Sequence, residues 1–190
     1  MTHVLSLDPD ELAPAAAWEQ SIRAGGAPVA EGAPFARWLA GATLARALER
    51  AHPQLAVSWH AGGEEWPGLL DIREPEVDAN RHVLVLGEPA SMDPRPVWPV
   101  RVPMQDLDAW LFDAVVWCYV PKRAALENNE AVAFARGVRP AGWAWADQVR
   151  TWERVALEPH EGHPHAAEVW QGRVKALQPE DTLVQALFAS

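Results

Sequence analysis

Three observations in the sequence predict a mainly α fold, a compact bundle of amphipathic helices. Apolar residues recur at helical spacing through most of 8–51 and 105–188. Helix-boundary residues stand beside those runs: Asp8 before Pro9 at one start, Gly25-Gly26 and Gly137 at two ends. The tract between them, 53–104, breaks the pattern and holds eight of the seventeen prolines. A chain of 190 residues fits one globular domain spanning 1–190. That domain is expected to be helical over 8–51, irregular with a few short strands over 53–104, and helical again over 105–188. An α+β arrangement is the alternative.

The first helix opens at Asp8, an N-cap followed by Pro9 and by Glu11 in capping-box position. Ala15, Trp18 and Ile22 keep its spacing, while Pro14 implies a kink or a later start. A second helix is expected over 34–51, where Phe35, Trp38, Leu39, Ala42 and Ala45 form one stripe. In the middle tract the period drifts toward two: Leu55, Val57 and Trp59 alternate with Ala56, Ser58 and His60, as do Trp98, Val100 and Val102 with their neighbours. Val83–Leu86 is a short apolar run. The period fits short strands and, over 55–61, equally two helical turns started by Pro53, and the sequence does not separate the two.

Met104, Leu107, Leu111, Ala114, Val115 and Cys118 fall on one helical face, with Trp110, Phe112, Val116, Trp117 and Tyr119 covering much of the rest. A helix apolar nearly all round is a central one, and Pro121 ends it. Further helices are expected over 123–136, over 141–157 on the stripe Trp145, Val149, Trp152, Ala156, over the run from Ala167 through Trp170 and Val174 to Leu177, and after Pro179.

Composition narrows the function. A net charge of −10 opposes nucleic-acid backbones and anionic membrane surfaces. The lone Cys118 excludes an internal disulfide and points to a reducing compartment, the cytoplasm. No window approaches the roughly 18 apolar residues of a spanning helix. Enrichment in Ala, Pro, Arg and Trp is what GC-rich codons give, and says nothing of function. Eleven tryptophans are mostly large core pieces, and those flanking loops are candidates for contact with a partner.

The sharpest chemical lead is His160, His163 and His165, with Glu158 or Glu161 beside them: neutral imidazoles at high local density suit a divalent transition metal. The metalloprotease helix pattern fails, because Pro164 stands where the second histidine belongs. Solvated loop histidines are the competing reading. A second lead is His60, Glu64 and Glu65 around Gly62-Gly63, where acid–base groups flank a turn open to a ligand. The acidic stretch Asp71, Glu74, Glu76 and Asp78 lacks a calcium-loop glycine and reads as solvated. Cys118 reads as a packing residue.

These features favour a non-catalytic binding or accessory protein over an enzyme, with no cofactor beyond a metal at the histidine loop. It would use Trp66, Trp98, Trp143 and Trp145 to hold a protein partner or a second copy of itself. The alternatives are an enzyme or small-ligand binder with a Trp-lined pocket near His60, Glu64 and Glu65, and a metal-binding protein through the histidine loop.

Overall fold

The computed structural model describes residues 4–26, 32–62, 68–76, 78–128, 137–158 and 167–189. The architecture is α+β, not a helical bundle. Among the described residues nine strands, β1 (Leu5–Ser6), β2 (Ala56–His60), β3 (Leu69–Glu74), β4 (Ala79–Ala90), β5 (Pro99–Pro103), β6 (Ala114–Pro121), β7 (Gly137–Trp145), β8 (Glu153–Leu157) and β9 (Ala167–Arg173), build two sheets. The larger has the order β1-β7-β6-β4-β3-β2 and the smaller β5-β9-β8. All pairs are antiparallel except β4 with β6.

Of the expected helices, α1 (Leu12–Ala24) and α2 (Ala33–Ala51) lie where the sequence placed them. Asp8 caps a 3₁₀ turn at Pro9–Glu11, its Oδ1 accepting the Asp10 N–H at 3.0 Å. Pro14 falls in the first turn of α1, where its missing N–H costs no hydrogen bond. Glu11 does not close a capping box; it accepts the Trp38 indole N–H at 3.1 Å and so ties the start of α1 to α2.

The segment read as a buried central helix is the main correction. Only Met104–Asp108 is helical (α3), and the following apolar run is β6, buried at all eight positions. A strand covered on both faces is apolar at every position, which periodicity alone cannot tell from an all-apolar helix. Ala114, Val116, Cys118 and Val120 belong to the core shared with α2, while Val115, Trp117 and Tyr119 belong to the core shared with the small sheet. The expected helix over 141–157 is the end of β7, the short helix α5 (Ala146–Val149) and β8; its Trp145–Ala156 stripe spans three elements. Gly137 opens β7, α4 covers Arg123–Glu127 while 129–136 of the helix expected there lie outside the described residues, and the run from Ala167 is β9. The last helix, α6 (Leu183–Leu187), buries Leu183 and Leu187 against the first core.

Three layers result: α1, α2 and α6, then the six-stranded sheet, then the small sheet with α3 and α5. Glycines let the first two layers close. A Cβ on Gly41 would stand 2.2 Å from the Trp59 ring, so the indole lies against the α2 backbone. A Cβ on Gly87 in β4 would stand 2.3 Å from the Ala36 carbonyl oxygen. Glu19, buried on α1, accepts the Gly32 N–H at 2.8 Å and an Arg123 N–H at 3.1 Å, linking the helix layer to the end of β6 through α4.

Two outcomes follow from this packing. Gly87→Ala puts a methyl group against backbone that cannot swing aside; it should cost about 1–3 kcal/mol, the range for overpacking, read as a lower urea midpoint. Burial pushes the Cys118 thiol well above its ordinary pKa, so Ellman's reagent at pH 8 should label it only as fast as the chain unfolds. Rapid labelling of folded protein would contradict its place in the core.

Candidate partner-binding site

The loop between α3 and β6 turns apolar side chains outward. Leu111 is 86% exposed and Trp110 48%, while Phe112 beside them is buried. Exposure of this kind usually accompanies a loose loop, but this one is braced. The Asp113 carboxylate accepts the His82 N–H at 2.8 Å, and its own N–H donates to the His82 carbonyl at 2.8 Å. The Asp113 carbonyl accepts the Ala146 N–H at 2.9 Å. One residue therefore joins the loop to β4 and to the start of α5. Arg81 adds an ion pair with Asp113 at 3.7 Å, and the Trp110 ring meets His82 edge-on at 6.2 Å.

Strand register shows what else lies at this end. Ala114 pairs with Val83 on one side and with Trp145 on the other. Trp145 is 36% exposed and packs edge-on against Trp143 at 5.0 Å. Asp71, directly across the β3–β4 pair from His82, keeps its Oδ1 buried without a hydrogen-bond partner. Three exposed apolar side chains, Trp110, Leu111 and Trp145, and a carboxylate oxygen unpaired among the described residues thus sit near one edge of the molecule.

The other sequence-derived candidates are scattered. Trp143 is fully buried, with its indole N–H donated to Thr182 at 3.0 Å, and serves the core rather than a surface. Trp98 is half-buried, edge-on to Tyr119 at 5.5 Å, at the far end of the sheet from Trp145. His60 is exposed at the end of the edge strand β2, opposite Leu69. Glu64, Glu65, Trp66, His160, His163 and His165 lie outside the described residues. Among the described residues no group of three or more His, Cys, Asp or Glu could hold a metal ion. Of the acidic stretch, Asp78 pairs with Arg73 at 2.7 Å on the β3–β4 turn.

Two further places carry polar chemistry. Glu88 on β4 is solvent-exposed, yet desolvation by the protein around it raises its carboxyl pKa, with Arg101 and the Trp117 indole pulling it back down. Burial, and then Glu88, raise the Tyr119 phenol. The Trp117 Nε1 lies close to these groups without reaching hydrogen-bond geometry. The two best-formed concavities among the described residues lie elsewhere, and His60 lines neither. One, about 560 Å³, runs between β1 and α2 beside Asp8, Thr43 and Arg46. The other, about 390 Å³, lies on the small sheet beside Arg101, Arg173 and Lys175.

The chain matches no family model, no curated protein and no solved structure. Its geometry carries the functional argument alone. Trp110 and Leu111 escaped the sequence reading because both fell within the expected central helix, where Leu111 pointed inward. The faint available signal was the pair of acids, Asp108 and Asp113, bracketing them.

The bracing is testable. Asp113→Ala removes an acceptor from the His82 amide and should cost about 1.5–3 kcal/mol, typical for losing a hydrogen bond to a charged group. Hydrogen exchange should quicken at His82 and across 109–113, with α2 unchanged.

Proposed function

We propose that the protein is a non-catalytic binding or accessory module that holds a protein partner by the Trp110–Leu111 loop. The observation that carries this is the combination of 86% exposure at Leu111 with the Asp113 bracing behind it. A loop already fixed in shape loses little conformational freedom on binding, so the free energy of burying its side chains is retained in affinity. Trp is a frequent anchor in such contacts, and burying Leu111 alone contributes about 2 kcal/mol.

The net charge of −10 favours a partner with a basic face, because complementary charge speeds encounter. The same charge disfavours a nucleic-acid backbone or an anionic lipid surface. No described helix is long and apolar enough to cross a membrane. The single, buried cysteine suits the reducing cytoplasm, which is where this reading places the interaction.

The test introduces a photo-crosslinking residue at Ala109, exposed in the same loop, and compares capture with and without Leu111→Asp, Trp110→Ala and Trp145→Ala. Leu111→Asp should abolish recovery of the captured protein while leaving the thermal midpoint unchanged, since Leu111 supports no core contact. Sedimentation of purified protein separates a second copy from a different partner. Capture that survives both Leu111→Asp and Trp110→Ala would overturn the proposal.

A further inference from the structure

The outer face of the small sheet carries a different site. Pairing across β5, β9 and β8 sets Arg101, Gln171 and Glu153 in one row. Arg173 stands two residues further along β9, opposite Pro99, and therefore on the same face. Lys175 follows at the end of β9, and these side chains line one depression of about 390 Å³ that opens to solvent. Three cations thus converge in a chain whose net charge is −10, against Glu153 within the depression and Glu88 facing Arg101. With both acids counted, the cations still outnumber them.

The cations are held rather than loose. Arg101 Nε donates to Gln171 Oε1 at 3.0 Å, and Arg173 Nη1 donates to the Val97 carbonyl at 2.9 Å. The backbone under them is stapled: Val174 N–H donates to the Trp98 carbonyl and Lys175 N–H to the Pro96 carbonyl, each at 3.0 Å. The Arg101 Nη1 and Nη2 donors and the Arg173 Nε and Nη2 donors enter no hydrogen bond or ion pair among the described residues, and neither does the Lys175 ammonium group. Planar guanidinium donors match the paired oxygens of a phosphoryl or carboxylate group.

We propose that this depression binds a small, multiply charged oxyanion, the phosphoryl end of a small molecule. A volume of about 390 Å³ is within the range of small-ligand sites, ~300–1,000 Å³. A nucleic-acid duplex is a poor fit, since beyond the depression its phosphates would meet the −10 charge of the whole chain. The site stands apart from the Trp110–Leu111 loop and does not depend on it.

The probe is pyrophosphate, titrated by calorimetry into the full chain at constant ionic strength with chloride as the control. Saturable binding with a dissociation constant on the order of 1 mM or tighter is expected. Lys175→Gln alters a solvent-exposed side chain and should leave the thermal midpoint unchanged; it should weaken binding about threefold. The Arg101→Gln, Arg173→Gln pair should weaken it at least about tenfold, and Glu153→Gln should tighten it. Arg50→Gln, an exposed cation on α2, should change nothing. Absence of saturable binding, or equal weakening by Arg50→Gln and Lys175→Gln, would overturn the proposal and leave only general attraction to positive charge.

Discussion

Everything in this fold is arranged around the parallel pair β4–β6. Eight consecutive residues of β6 are buried, so the strand needs apolar cover above and below at once. A helix layer alone would leave Val115, Trp117 and Tyr119 in water, and a second sheet alone would leave Val116, Cys118 and Val120 there. The layered architecture is the solution to that constraint. It also explains the tryptophans: Trp143 fills the helix side, while Trp98, Trp152 and Trp170 close the small-sheet side around the β6 aromatics. Among the described residues most tryptophans are packing pieces, with Trp110 and, to a lesser degree, Trp145 as the exposed departures.

The same pair positions both proposed binding surfaces. The N-terminal end of β6 is where Asp113 bonds to β4 and accepts the Ala146 N–H, and the loop preceding it is held outward as a consequence. The small sheet exists to cover the other face of β6, and its own outer face is therefore free to carry charge. Arg101 and Arg173 alternate along their strands with Val100, Val102 and Gly172, which face inward. Core-facing and solvent-facing roles are divided by the period of two, so the cationic depression and the second core are opposite sides of the same three strands.

The helical period was legible where one face of a helix meets the core and the other meets water. α1 and α2 satisfy that condition, and Asp8, Pro9 and the apolar stripe of α2 marked them correctly. In the middle tract the alternation was visible but not decisive: β2 is an edge strand and β5 belongs to the small outer sheet, so both alternate between buried and exposed positions, yet over so few residues Pro53 could equally have opened a helix. Misreading began where burial was two-sided. In β6 no position faces water, so the sequence offers no period to read, and a helix and a strand look alike. The stripe from Trp145 to Ala156 shows the opposite failure, since residues at helical intervals came from a strand end, a one-turn helix and another strand.

The sequence by itself determined the first two helices and the apolar character of the 114–121 run, because each depends on neighbours within a few residues, and the acidic net charge, which is a sum over composition; in the proline-rich tract it left strand and helical turn both open. Tertiary structure alone decided that the 114–121 run is a strand, since that depends on which layers cover it from elsewhere in the chain. It also decided that Leu111 faces solvent and that Trp143 does not, because a side chain's exposure follows from the element it sits on. The convergence of Arg101, Arg173 and Lys175 was its work too: positions more than seventy residues apart meet only through the pairing of β5 with β9, and no local pattern encodes a pairing partner.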